Sequence, residues 1–284
     1  MEKVNPLIVK NGDGKISYGG DQGWFNSNTK AYAGCGSVAA VNVLRILCDK
    51  YDELSDRTSD DKRALVKQAP SREEYLELME AAYGKMRILE VPVIRKIYDL
   101  RKRGKKILGI LVPSFGIGIS GFIIGTLKFA RDEGILLHSR IKPTGGADKE
   151  ECLDFLKEGL DKAGAVVILT CLNKHNIKVY GNKGELFEGR YYISRMKNHF
   201  ATITGLFETD GKIYVKLSTW GKPAVVPYDV LSASWKSVKA YGSCLFYFTP
   251  VKSESVVRSD IRRAPALMIW SIISGIIRGL FCSL

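Results

Sequence analysis

Two residues stand where nucleophilic chemistry is easiest to arrange. Cys35 ends a glycine- and asparagine-rich segment and opens a run, CGSVAAVNVLRIL, in which Val38, Val41, Leu44 and Cys48 recur at helical spacing. A thiol at a helix start meets free backbone N–H groups and the positive end of the helix dipole, and both favour thiolate. His199 begins the alternating segment HFATITGLF, which reads as a strand. An imidazole on a sheet can face a thiol on a helix. Such a pair, with donors for an oxyanion, is what acyl transfer through a thioester requires.

The chain contains rivals to that pair. Cys171 and His175 stand four residues apart and could pair locally, but neither lies at a helix start, so His199 is the expected base. His138, between a helix and a loop, reads as a surface histidine. The six cysteines include no CxxC pair, and with three histidines no zinc site is expected, nor any cofactor. Reduced thiols in a cytoplasmic protein fit this usage better than a disulfide framework.

The elements that must position these residues follow from periodicity and caps. The region before Lys30 reads as loop. Ser71 with Glu74 forms a capping box ahead of YLELMEAAYG, and a basic helix, PVIRKIYDLRKRG, follows. A further apolar helix is expected from about Ile117 to Asp132, and Asp148 opens an amphipathic one that leads into the strand AVVILT. Beyond it the pattern is mostly β. Asp210-Gly211 is a hairpin signal between His199–Phe207 and Ile213–Leu217, and Ala224–Val226, a short helix near Tyr228 to Trp235 and CLFYF complete the set. Helices first and an antiparallel sheet second make an α+β fold.

Three blocks in this order carry a family resemblance. GGDQGWFNSNTKAYAGCGSVAAVNVLRIL resembles the nucleophile region of papain-like cysteine peptidases, in particular the bacterial branch around the bacteriocin-leader (double-glycine) peptidases. NHFATITG is similar to their histidine strand, and LSTWG resembles the family's NSWG. Together the blocks cover roughly residues 18 to 250, with a weaker match over 50 to 160. The resemblance implies a papain-like fold in which Cys35 attacks a carbonyl and His199 shuttles the proton. It assigns Gln22 as the oxyanion glutamine, although Gln22 could instead bond loop backbone; it lies 13 residues before Cys35, so the loop must fold back. It also places Ser218 where the family has Asn or Asp to orient the histidine, with Trp220 shielding that contact. Simple register adds a difficulty. A two-residue turn at Asp210-Gly211 would pair Ser218 with Ile203, on the face of His199 but roughly 13 Å from it. A backbone carbonyl or a water is the rival orienter. Trp24 and Phe25 read as core aromatics more readily than as cleft lining.

Composition bounds the remaining choices. The chain has 284 residues, 45% hydrophobic and 26% charged, enough for a sizeable core. With 43 Lys and Arg against 30 Asp and Glu, its charge of +13 suits anionic partners, yet no nucleic-acid module is recognisable. The apolar stretch from Ile107 to Leu127 is long enough to span a bilayer, but a span there would separate Cys35 from His199, so it is expected as a buried strand-loop-helix. Residues 1–250 are expected as one domain, 251–265 as a linker and 266–284 as a hydrophobic tail. That tail, ALMIWSIISGIIRGLFCSL, reads as a short membrane anchor or, equally, as a terminal helix docked on the domain or lying in the lipid interface. The expected activity is hydrolysis of a peptide or amide bond in a peptide or protein substrate. An acyltransferase or transglutaminase-like reaction on the same residues, or a papain-like binding module with weakened catalysis, are the alternatives.

Overall fold

The computed structural model describes residues 6–12, 14–55, 65–66, 68–86, 88–90, 114–170, 177–181, 191–236 and 240–264. Cys171, His175, the basic run at 92–104 and the tail at 266–284 lie outside these residues. An N-terminal hairpin, β1 (Ile8–Lys10) and β2 (Ile16–Tyr18), leads through a 3-10 turn at Gln22–Trp24 into α1 (Asn28–Ala33) and α2 (Cys35–Lys50). Next come α3 (Asp52–Ser55), α4 (Arg72–Lys85), the paired strands β3 (Ile88–Glu90) and β4 (Ser114–Ile117), and α5 (Ile119–Asp132). The second part runs β5 (Leu137–Gly145), α6 (Lys149–Ala163), β6 (Val166–Thr170), β7 (Ile177–Gly181) and β8 (Tyr191–Met196). It continues with β9 (His199–Thr209), β10 (Lys212–Thr219), β11 (Lys222–Pro227), α7 (Tyr228–Lys236) and β12 (Ala240–Pro250). Helix α8 covers 254–264.

Eight strands form one sheet in the order β5-β12-β6-β9-β10-β11-β7-β8, every neighbouring pair antiparallel. The chain is α+β. The N-terminal helices gather on this sheet around α2, whose residues from Gly36 to Cys48 are all buried. A helix so largely apolar belongs in a core, its buried Arg45 being satisfied by Pro6 O and Leu65 O, and the small residues Gly36, Ala39 and Ala40 let it approach closely. At Gly36 a Cβ would lie 2.9 Å from Ile117 Cδ1, so any larger residue next to Cys35 would make the end of that side chain shift.

The capping signals act as their chemistry suggests. Ser71 and Glu74 bond reciprocally at the start of α4, and Asp148 caps α6, which ends on the left-handed Gly164. The region before Lys30 is more ordered than a loop, holding β1, β2, the 3-10 turn and the start of α1. His138 sits in strand β5, where its Nδ1 lies 2.9 Å from Asp260 Oδ2 of α8. The segment expected as a linker therefore contains a helix docked on the edge of the sheet. Among the described residues no helix is long and apolar enough to cross a membrane. Residues 114–127 of the apolar stretch form β4 and the buried body of α5.

Candidate active site

Gly34 ends α1 and begins α2, so Cys35 is the first residue of a sixteen-residue helix whose N-terminus has no side-chain cap. The backbone N–H groups of Cys35, Gly36 and Phe200 pull the thiol pKa down, as a helix start should. Burial opposes them and is the larger effect, so the thiol stands above its ordinary value. The lowered thiol expected from sequence is thus reversed by packing.

His199 opens β9 and is buried between β6 and β10. Burial lowers its pKa to about 3, so the imidazole is neutral over the physiological range. Its Nε2 lies 2.7 Å from Thr219 Oγ1. For Nδ1 to accept a proton from the thiol, Nε2 must carry the hydrogen and donate it to that hydroxyl. The ring also stacks on Trp220, with centroids 4.4 Å apart and planes 13° off parallel.

The hydroxyl on His199 is therefore Thr219's and not Ser218's. The hairpin turn is tight, with Asp210 and Gly211 both at positive φ and Thr209 opposite Lys212. A β-bulge then shifts the register between Lys216 and Leu217, so that Ser218 faces Thr202 rather than Ile203. One residue of slip exchanges the two faces of a strand. It turns Ser218 away from His199 and brings Thr219 onto its side. Ser218 Oγ donates to Tyr18 O at 2.8 Å and accepts from Asn42 Nδ2 at 3.1 Å.

Gln22 is brought back to Cys35 by a short backbone exchange. Tyr18 N donates to Gly221 O at 2.8 Å and Gly221 N to Gly20 O at 3.0 Å, so the loop is tied to the turn that carries Trp220. Gly19, at φ +74°, passes so close to the core that a Cβ there would meet Ser218 Oγ at 2.5 Å. Asp21 accepts from Gly23 N and starts the 3-10 turn that presents Gln22. The Gln22 amide gives one Nε2 hydrogen to Ala31 O at 2.9 Å, and its second is not taken up by that bond. Trp24 and Phe25 are core: Trp24 meets Tyr75 edge-on at 6.1 Å and Phe25 packs on Tyr83 at 5.6 Å.

Gln22, Cys35, Asn42, His199, Ser218, Thr219 and Trp220 line one small pocket. Trp220 adopts φ +51°, left-handed backbone that a bulky residue avoids, and Gly221 follows at +66°. Such a conformation costs on the order of 1–3 kcal/mol and persists only where its surroundings hold it. Here the turn between β10 and β11 lays the indole flat on His199. Asn42 and Thr219 were not singled out from sequence. Asn42 is marked in the sequence as an amide seven residues after Cys35 on a largely apolar helix that also carries Arg45, and Thr219 only by its adjacency to Ser218.

Compared with known proteins, the chain matches no family model and no curated sequence.

Proposed function

We propose that the chain is a papain-like cysteine hydrolase that cleaves a peptide or amide bond through a Cys35 thioester. The observation that carries this reading is that Cys35 and His199, far apart in sequence, line one pocket while Thr219 and Trp220 hold the imidazole. Because the pKa of the thiol is raised and that of the imidazole lowered, the resting pair is neutral. Attack is then general-base catalysed: His199 Nδ1 takes the Sγ proton as sulfur bonds to the carbonyl carbon. The oxyanion faces the Cys35 N–H and the remaining Gln22 Nε2 hydrogen. The imidazolium gives its proton to the departing amine. Water, deprotonated by the again neutral His199, then attacks the thioester; the C–S bond breaks to release the acid, and the imidazolium returns its proton to Sγ.

The test is labelling by an alkyne-tagged acyloxymethyl ketone, with Cys35→Ala and His199→Gln as controls and blocked peptide amides as substrates. Labelling confined to Cys35 and lost in both variants, together with amide cleavage, supports the hydrolase. A product that incorporates added hydroxylamine in preference to water points to acyl transfer. A folded wild-type chain that neither labels nor cleaves refutes both and leaves a binding module.

The position of the bulge makes a sharper distinction. Thr219→Val keeps the shape but loses the hydroxyl, and should lower turnover about 10-fold if that bond is worth about 1.4 kcal/mol in the transition state. Ser218→Ala should leave turnover almost unchanged while lowering stability by about 1–3 kcal/mol, because Tyr18 O and one Asn42 donor lose a buried partner. Parallel rate and urea-unfolding measurements on the two variants decide the matter. The reverse pattern would return the orienting role to Ser218.

A further inference from the structure

We infer that Asn42 is the positioning residue that holds Cys35 in register with His199, an inference resting on the hydrolase reading above. Cys35, Val38, Ala39 and Asn42 fall at i, i+3, i+4 and i+7 of α2, and all four line the pocket. Asn42 is fully buried, and its amide is saturated. Nδ2 donates to Thr202 Oγ1 at 3.2 Å and to Ser218 Oγ at 3.1 Å. Oδ1 accepts from Gly20 N at 3.3 Å and from the Tyr75 hydroxyl. Both amide hydrogens and both acceptor positions are used.

The identity of the partners is what gives the amide its role. Thr202 lies on β9, three residues after His199. Ser218 precedes Thr219 on β10. Gly20 belongs to the loop that presents Gln22, and Tyr75 comes from α4. One side chain thus joins the helix of the nucleophile to the strand of the base, the strand of its hydroxyl partner and the loop of the oxyanion amide. Apolar packing around α2 is non-directional, and the other buried polar anchor of the helix, Arg45, bonds Pro6 O and Leu65 O rather than the strands that carry His199 and Thr219. A saturated buried amide fixes the helix along the sheet, because any slide leaves a desolvated donor or acceptor without a partner. A misplacement near 1 Å can cost about 10²-fold in rate, so the constraint is worth most where Cys35 and His199 share the pocket.

The test measures the second-order rate of Cys35 alkylation by iodoacetamide from pH 5 to 10, well below each variant's Tm, alongside thermal unfolding. The variants are Asn42→Leu, Asn42→Asp and Tyr75→Phe, each with and without His199→Gln. Asn42→Leu should fill the space yet lose at least 10-fold of the His199-dependent rate. Combined with His199→Gln it should lose almost nothing more, the non-additivity of two residues acting on one step. Asn42→Asp should recover part of the loss, because its oxygens still accept from Gly20 N and Tyr75. Tyr75→Phe removes a single bond and should lower the rate a few-fold; it carries the test if Asn42→Leu does not fold.

A folded Asn42→Leu that keeps the His199-dependent rate and its pH profile, whatever its Tm, would make Asn42 a structural residue only and overturn the inference. If Asn42→Leu does not fold, an unchanged Tyr75→Phe rate overturns it equally. A wild-type rate that His199→Gln does not change is a different result. It refutes the hydrolase reading, and the positioning role falls with it.

Discussion

His199→Gln is expected to lower acyl-substrate turnover at Cys35 by about 10²- to 10⁴-fold, the usual worth of a positioned general base. Glutamine can still donate to Thr219 and roughly fills the place of the ring, so the loss reports the proton transfer more than the packing. The expected pH profile follows from the two displaced pKa values. The competent form, neutral thiol with neutral imidazole, persists from above about 3, where His199 loses its proton, to beyond the ordinary thiol range, where Cys35 begins to ionise. On the proposed mechanism, turnover by the native chain should therefore be nearly flat from about pH 4 up through the ordinary thiol range wherever the fold is intact. In His199→Gln the residual rate should instead rise with pH as thiolate forms without help. Steady-state cleavage across that range checks both statements. A mutant within a few-fold of wild type at pH 7 would remove His199 from the mechanism.

Much of the frame behind this prediction is legible in the residues themselves. Ser71 with Glu74, Asp148 and Asp210-Gly211 each place a boundary by a local hydrogen-bonding or φ requirement, and local requirements survive in any context. The pairing of Cys35 with His199 in one pocket was accessible from their settings on a helix start and a strand. What was missed depends on distant contacts. Strand β5 hides because it is an edge strand: LHSRIKPTG mixes polar residues and Pro143 into a half-exposed run without clean alternation. The choice of Thr219 over Ser218 turns on one bulged residue in β9, and nothing in ATITGLFE marks where it falls. The raised thiol pKa has a related cause. A helix start can be read from sequence, whereas the burial that outweighs it exists only once α2 meets the sheet.

A second large effect should appear in stability rather than rate. His199 in the folded chain titrates near 3, against 6.5 for the free side chain. Between these values the unfolded chain takes up a proton that the folded chain refuses, so unfolding becomes more favourable as pH falls. The sign is that of a depressed group. Its contribution is fully present above pH 6.5, is lost progressively as pH drops toward 3, and changes no further below that. The displacement corresponds to a loss on the order of 5 kcal/mol over the whole interval, comparable to the total stability of many domains. His199→Gln has no proton to take up and should lack this limb. The exposed Asp148 and the half-buried Glu158, both held below their usual values by hydrogen bonds, also weaken the fold in acid, but equally in both chains. The difference between the two unfolding curves therefore isolates His199. Urea titrations at pH 7 and pH 4 should show the native chain losing several kcal/mol more than the variant. Equal losses would mean that the imidazole reaches solvent and charges in place. In that case the resting pair would no longer be neutral, and general-base attack would give way to a preformed thiolate–imidazolium pair.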